Sequence, residues 1–340
     1  MNPKYLLILT LIIIITAGFA YVQSTSEDNS EEYRTYSQTR MLMDTDVTIT
    51  VVDNSEVHAY KSIEDAFMKM ERASNLLDSY NSSSEIYRLN EHKEIQNASD
   101  DLIYVIERGI YYSQISDGAF DITVKPVLDL WASKFGPDKP NIPPNEKEIN
   151  NTLTLVNSSN ITIKGNNITI GQNMGIVLGG IAKGYAVDRA IMSLQENGID
   201  NGFVNAGGDG RYIGEKPDGQ KWTVGLQDPE KNAKPITTIQ AHNIAVATSG
   251  NYERYYNKSA SKSHIADPRT GYPVSHLMSA TIIAPTALEA DALATAIFVM
   301  EEENGLEMIE KLEGVECLLI NSEKEISRSS GFAKYEQLKD

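Results

Sequence analysis

The sequence predicts an α+β domain of mixed sheets with packed helices, which follows an apolar segment at the N-terminus. Amphipathic stretches with helical spacing and short stretches of alternating polarity recur in irregular order along the chain. The glycine-rich turns do not form the GxGxxG pattern of a doubly wound dinucleotide fold. With 41% hydrophobic residues, the 340-residue chain can also fill a sizeable core.

The N-terminal segment, residues 5–22, is apolar and about as long as a helix that crosses a bilayer. Small residues near its end also suit a cleavage site, so residues 1–22 are either a membrane anchor or a signal peptide. Residues 23–39 are interpreted as an acidic tether, and the folded domain is expected over residues 40–335. Because the tether lacks Lys and Arg before Arg34, the positive-inside bias predicts an extracytoplasmic domain.

The first half of the domain contains patterns for both helices and strands. Alternating polarity over residues 45–52 predicts a half-buried strand, and NITIKGNNITI (160–170) predicts a hairpin that turns at Gly165. Apolar side chains at helical spacing, and Pro126 in a first turn, predict three helices. The expected helices cover residues 62–77, 102–115 and 126–132.

The second half alternates strands with two longer helices. A strand over residues 175–178, the pair Gly179–Gly180 and a helix over 183–196 are expected in that order. A strand over 279–285 precedes a helix over 287–299, which Thr286 and Glu289 open as a capping box.

The charge and the cysteine content exclude some classes of protein. The net charge of −17 and the pI of about 4.8 argue against nucleic acid as a partner, because binding a phosphate backbone requires a basic face. Cys317 is the only cysteine, so no internal disulfide forms, and its apolar neighbours predict a buried thiol.

Two stretches could form a phosphate and metal site. Backbone amides at Gly179–Gly180 and the following helix N-terminus could approach a phosphate, with Lys183 in the first turn; a tight connection with an exposed lysine is the simpler alternative. Asp291 and Thr295 lie four residues apart on one helix face and supply hard oxygen ligands that suit Mg²⁺. Alternatively, Asp291 complements the helix dipole and Thr295 bonds its own backbone.

The loop HIADPRTGYPV (264–274) contains few apolar side chains that a core could bury. Asp267 and Pro268 favour a tight turn, and Gly271 can adopt a positive φ. The loop is either a surface turn or the wall of a site.

Seven stretches in this order resemble the FAD:protein FMN transferase (ApbE) family, over residues 40–335. They are SYNSSSEIYRLN (79–90), GAFDITVKPVLDLW (118–131), GGIAKGYAVD (179–188), NAGGD (205–209), TSGNYERYY (248–256), HIADPRTGYPV (264–274) and ADALATA (290–296).

The resemblance implies an ApbE-type, T-fold-like α+β domain that transfers FMN from FAD to a threonine of an acceptor protein and releases AMP. It implies Mg²⁺ bound by the carbonyl of Gly180 and by Asp291 and Thr295, with His264 or Asp291 assisting proton removal. The implied acceptors are extracytoplasmic flavoprotein subunits of ion-translocating electron-transfer complexes. The implied flavin contacts are Met43, Tyr80, Ala119, Phe120, Asp121, Lys183 and Ile265.

Two positions depart from the family's pattern. Asp44 stands where the family commonly has the glycine of an MGT motif, and Val177 stands where it has an acidic residue. A hydrolase that splits FAD into FMN and AMP, and a surface flavin-binding protein without catalysis, are the alternative functions.

Overall fold

An antiparallel sheet of eight strands organises the part of the chain that the computed structural model describes, residues 32–135, 139–230, 234–250, 255–257, 262–263 and 265–337. The strands of this sheet are β1 (Arg34–Leu42), β2 (Thr45–Asp53), β6 (Gly202–Ala206), β7 (Asp209–Ile213), β10 (Ile244–Gly250), β13 (Leu277–Ala284), β14 (Glu316–Asn321) and β15 (Ile326–Arg328), in that spatial order. Smaller sheets contain β3 (Glu94–Ile95), β4 (Thr162–Lys164), β5 (Asn167–Thr169), β8 (Trp222–Leu226), β9 (Thr237–Ala241), β11 (Tyr255–Asn257) and β12 (Lys262–Ser263).

The described residues form eight α-helices, several of which pack on one face of the large sheet. They are α1 (Glu56–Leu77), α2 (Glu85–His92), α3 (Asp100–Ile115), α4 (Lys125–Lys134), α5 (Glu146–Leu153), α6 (Ala182–Glu196), α7 (Ala287–Val299) and α8 (Glu302–Ile309). The predicted α+β class with sheets and packed helices is therefore confirmed, and every described strand pair is antiparallel.

The two faces of the sheet bury two different cores, because successive strand residues point to opposite faces. Ala247 and Ile282 belong to the main core beneath the helices. Their neighbours Val246 and Ile283 pack instead against a second core, which the β8–β9 ribbon covers with Trp222. Burial on both faces explains why β13 is almost uniformly apolar.

Most of the predicted elements are confirmed, with shifts of up to six residues at their ends, the largest where α1 begins at Glu56 instead of Ser62. The helices expected over 62–77, 102–115, 126–132, 183–196 and 287–299 correspond to α1, α3, α4, α6 and α7, and the hairpin is β4–β5. Thr286 Oγ1 accepts from the Glu289 amide at 3.3 Å, but among the described contacts Glu289 makes no return bond to complete the capping box. Its carboxyl is close enough to Arg108 to interact electrostatically with it.

Two sequence assignments are corrected. Residues 34–39, which the sequence placed in the tether, belong to β1 and pair with β2, so the folded domain begins near Arg34 instead of residue 40. Residues 175–178 are not a strand, because their backbone bonds go elsewhere. Asn90 exchanges two bonds with the Ile176 backbone, of 2.7 and 2.8 Å, and Val177 donates to the Ile122 carbonyl.

Helices α6 and α7 approach each other closely at Gly184. A methyl group at this position would lie 2.1 Å from the carbonyl oxygen of Ala287. Every residue of α7 except Glu289 and Thr295 is buried, so the helix has little room to retreat. The contact at Gly184 therefore sets the distance between the two helices.

None of the helices described between residues 32 and 337 is long and apolar enough to cross a membrane. The apolar segment 5–22 lies outside the described residues.

Replacing Gly184 with Ala is expected to lower the free energy of unfolding by at least about 2 kcal/mol, because the new methyl group meets backbone atoms. Chemical denaturation with urea measures the change. Gly179→Ala is the control, since a methyl group there meets no atom within 4 Å. Equal stability of the two variants would contradict the close contact.

Burial raises the pKa of the Cys317 thiol to about 12. At pH 8 the folded protein should therefore hold roughly a thousandfold less thiolate than the unfolded chain, and react correspondingly slowly with a thiol reagent. A thiol titration of the native protein, with the guanidinium-unfolded protein as the control, measures both rates. A native rate equal to the unfolded rate would show that the thiol is accessible.

Candidate active site

Two tight turns from distant parts of the chain lie together at one end of the large sheet. Met43 and Asp44 form the tight turn between β1 and β2, with φ of 55° and 59°. Asp tolerates this left-handed region better than most residues, so the turn can form with Asp44 at its second position. Gly207, with φ of 61°, packs against Thr45 so closely that a methyl group would lie 2.3 Å from the hydroxyl. The NAGGD turn therefore lies against the Met43 turn.

The start of α6 lies beside two residues predicted for the site. A methyl group on Gly180 would lie 2.8 Å from Thr295 Oγ1 and 3.3 Å from the Phe120 ring. Ile181 is the N-cap of α6 and makes no side-chain capping bond among the described contacts. The α6 N-terminus, the hydroxyl of Thr295 and the Phe120 ring thus share one small region.

Asp291 and Asp188 form a reciprocal clamp between α6 and α7. Asp291 Oδ2 on α7 accepts from the amide of Gly184 in α6 at 2.9 Å. Asp188 on α6 accepts from the amides of Ala287 and Leu288 at 3.0 and 2.9 Å. Each helix therefore supplies a carboxylate that accepts from first-turn amides of the other helix. Such amides are normally capped by a side chain just before the same helix.

Arg211 pairs with Asp188 at 2.7 Å. Burial raises the pKa of the Asp188 carboxyl, and the Arg211 guanidinium and the two helix amides oppose that shift. The clamp thus contains a carboxylate whose charge is compensated by protein groups on several sides.

Lys183 lies in the first turn of α6, as expected, but it is not simply an exposed lysine. Its Nζ lies 2.8 Å from Oδ2 of Asp209, whose side chain is almost fully buried at the NAGGD turn. The other oxygen of Asp209 accepts from the Thr248 amide at 3.1 Å. Asp209 therefore ties the start of α6 to the end of β10.

The GAFD stretch is held by its own aspartate. Asp121 accepts hydrogen bonds from the amide and hydroxyl of Thr123, at 2.7 and 2.6 Å. It also accepts from the Ser113 hydroxyl and the Ser158 amide, at 3.2 and 3.1 Å. The carboxylate therefore positions the loop that carries the buried residues Ala119 and Phe120.

Side-chain hydrogen bonds hold the loop described from Ile265 to Val274 in a tight turn. Asp267 accepts two bonds from the Arg269 guanidinium, at 2.9 and 3.0 Å, and Gly271 has a φ of 76° as expected. Trp131 Nε1 donates to the Gly271 carbonyl at 2.7 Å. The Arg269 stem also packs over Gly118. The loop is therefore a wall against the GAFD stretch, and Ile265 packs at the edge of the main core.

Two further expected flavin contacts differ in exposure. Met43 is half-buried and packs against the main core. Tyr80 is 75% exposed, and Lys125 Nζ lies 5.7 Å from its ring centre. Val177, at the family's acidic position, is half-buried beside Ile122.

The remaining expected site residue, His264, lies outside the described residues, between Ser263 and Ile265. Within those described, no three His, Cys, Asp or Glu side chains form a cluster that could hold a metal ion. The oxygen donors near the α6 N-terminus are the Asp291 carboxylate and the Thr295 hydroxyl, beside the Gly180 backbone. Ser249 Oγ also lies 3.4 Å from Thr295 Oγ1.

Sequence reasoning missed Asp188, Asp209, Arg211 and Asn90 as residues that position the site. Each makes a contact between residues far apart in the chain, which spacing along one element does not reveal. Their presence inside or beside the quoted motifs was the one available signal.

The fold and the site define a class of α+β proteins in which glycine turns and oxygen donors surround a helix N-terminus, an arrangement suited to a phosphate-containing ligand. Comparison with known sequences identifies the family. The chain belongs to the ApbE family, whose sequence profile matches residues 43–319.

Named relatives agree with this membership. The chain is 31% identical over 273 residues to a FAD:protein FMN transferase of Vibrio cholerae, covering 78% of this chain and 79% of that protein. It is 31% identical over 279 residues to a protein of the same name from Haemophilus influenzae, covering 78% of this chain and 80% of that protein.

Solved structures show the same fold. The crystal structure of an ApbE protein from Thermotoga maritima has a TM-score of 0.82 and 32% identity, covering 90% of this chain and all of that chain. The flavin transferase ApbE from Vibrio cholerae has a TM-score of 0.77 and 27% identity, covering 89% of this chain and 99% of that chain.

Replacing Asp121 with Ala is expected to lower the free energy of unfolding by roughly 2–4 kcal/mol, because the buried amides of Thr123 and Ser158 lose their acceptors. Thermal unfolding measures the change. Asp129→Ala is the control, since it removes a carboxylate that makes an exposed pair with Lys125. A Tm for Asp121→Ala that matches the control would contradict the role of Asp121.

Proposed function

We propose that the chain transfers FMN from FAD to a threonine hydroxyl of an acceptor protein and releases AMP. One observation supports this proposal most strongly. The N-terminus of α6, where Ile181 makes no capping bond through its side chain and Gly184 donates to Asp291, lies beside Gly180 and opposite the Asp291–Thr295 face of α7. Helix N-termini favour phosphates. The matched relatives are named FAD:protein FMN transferases, which points to FAD as the phosphate-containing ligand.

The donor set suits Mg²⁺. A carboxylate, a hydroxyl and a backbone carbonyl are hard oxygen ligands, and Mg²⁺ commonly uses one or two carboxylates together with substrate phosphates. Asp291, Thr295 and the Gly180 carbonyl would hold the ion. When bound, it would neutralise charge on the pyrophosphate of FAD.

The proposed reaction breaks the pyrophosphate of FAD. The threonine oxygen forms a bond to the phosphorus on the FMN side, and the bond from that phosphorus to the bridging oxygen breaks. The bridging oxygen leaves with AMP, and the threonine proton passes to His264 or Asp291. Backbone amides at the start of α6 would stabilise charge on the phosphoryl oxygens.

The flavin of FAD would contact a separate set of residues. They are Met43, Tyr80, Ala119, Phe120, Asp121, Lys183 and Ile265.

We also propose that the domain works outside the cytoplasm, either anchored by residues 1–22 or released after their cleavage. The length of the apolar segment and the acidic residues after it support this location. The proposed acceptors are flavoprotein subunits of ion-translocating electron-transfer complexes, which would present their threonine on the same side of the membrane.

Incubating the protein with FAD, Mg²⁺ and a candidate acceptor should add one FMN to an acceptor threonine, measured by mass spectrometry. Asp291→Asn should lower the transfer rate at least about 100-fold, because it removes the one carboxylate assigned to the metal. Asp53→Asn is the matched control, a buried carboxylate at the start of α1. Transfer by Asp291→Asn at the rate of the control would refute the metal assignment.

The same incubation without an acceptor distinguishes the rival functions. Rapid formation of AMP and free FMN would indicate a hydrolase, and FAD recovered intact with every acceptor would indicate a binding protein.

A further inference from the structure

We propose that Asp188 is a positioning residue for the metal and phosphate end of the site, acting through helix α7. The inference rests on the proposed function, because it assigns to Asp188 the task of placing Asp291 and Thr295 opposite Gly180. Asp188 itself lies on α6 and is 7% exposed.

The N-terminus of α7 is capped in part by a residue of α6. The first-turn amides of a helix have no partner within the helix. In α7, Asp188 accepts from the first two, those of Ala287 and Leu288, and Thr286 accepts from the third, that of Glu289. A residue of α6 thus completes the cap of α7, so the cap fixes where α7 starts relative to α6.

A second contact ties the first turn of α6 to α7. Asp291 lies one turn beyond Ala287 and accepts from the Gly184 amide, which lies one turn before Asp188. Two carboxylates therefore tie the same turn of each helix to the other, and the absence of a side chain at Gly184 allows the close approach. A shift of α7 along α6 would break both contacts together.

The clamp between α6 and α7 extends to the proposed metal site. Thr295 lies one turn beyond Asp291 on the same face of α7 and is in contact with the region of Gly180. Gly180 lies next to Ile181, the N-cap of α6. The distance from Gly180 to Asp291 and Thr295 therefore depends on how α6 and α7 are placed against each other. Asp188 controls that spacing without being assigned a contact with the metal or the substrate.

A role in stability alone explains the Asp188–Arg211 ion pair less well than a positioning role does. Nearly all of α7 is buried and apolar, so packing already holds the helix against the sheet. Replacing a buried ion pair with apolar groups is often neutral or stabilising, because burying charge is costly. A largely buried carboxylate, Asp188, paired with the partly buried Arg211 is better suited to fixing one position of α7 than to adding stability.

The test compares Asp188→Asn with Asp53→Asn in the full chain. Asp53 is a matched control because it is also buried, bonds the backbone at a helix start through the Ser55 amide, and pairs with a basic side chain, His58. It serves α1 and makes no contact with α7 among those described. Both variants remove one carboxylate charge and should destabilise the fold to a similar extent.

Two measurements are made on each protein. Mn²⁺ binding in the presence of FAD is followed by electron paramagnetic resonance, and hydrogen exchange of the Gly184 amide is followed by mass spectrometry or NMR. In Asp188→Asn we expect Mn²⁺ affinity to fall about 10–100-fold, as for other residues that orient metal ligands, and Gly184 exchange to accelerate. In Asp53→Asn both should match the wild type.

Unchanged Mn²⁺ affinity in a folded Asp188→Asn variant would overturn the proposal, as would an equal loss in Asp53→Asn. If Asp188→Asn does not fold, Asp188→Glu replaces it, since that change keeps a negative charge beside Arg211 but displaces the carboxylate that caps α7. Weaker Mn²⁺ binding by that variant supports the proposal, and unchanged binding overturns it. Failure of the wild type to bind Mn²⁺ and transfer FMN would instead refute the proposed function.

Discussion

The site depends on the close approach of helices α6 and α7 at Gly184. The backbone of α7 occupies the space where any other residue would place its Cβ atom. Only at this distance can Asp291 reach the Gly184 amide and Asp188 reach the amides of Ala287 and Leu288. The two helices come from parts of the chain about a hundred residues apart, so this contact brings the Gly179–Gly180 turn to the oxygen donors of α7.

The net charge of −17 opposes the binding of FAD, because the pyrophosphate of FAD is also negatively charged. Among the described residues at the proposed phosphate position, Lys183 is paired with Asp209. Backbone amides, a helix N-terminus and a divalent cation are the alternatives that chemistry offers for a phosphate. The acidic surface and the proposed Mg²⁺ requirement are therefore consistent with each other.

The sequence predicted those parts of the fold that local periodicity determines. Helices α6 and α7 and the β4–β5 hairpin follow from spacing and turn residues, and the seven ordered stretches identify the family. Local pattern misled the interpretation where long-range bonds decide the conformation. Residues 34–39 look like a polar tether but pair with β2, and residues 175–178 look like a strand but bond to Asn90 and Ile122. The roles of Asp188 and Asp209 depend on partners that no local spacing identifies.

The most direct test of the account is a crystal structure of the protein with FAD and Mg²⁺. We predict a metal ion bound by Asp291, Thr295 and the Gly180 carbonyl, with the pyrophosphate of FAD at the N-terminus of α6. Electron density for the pyrophosphate or the metal ion away from the α6–α7 junction would contradict it.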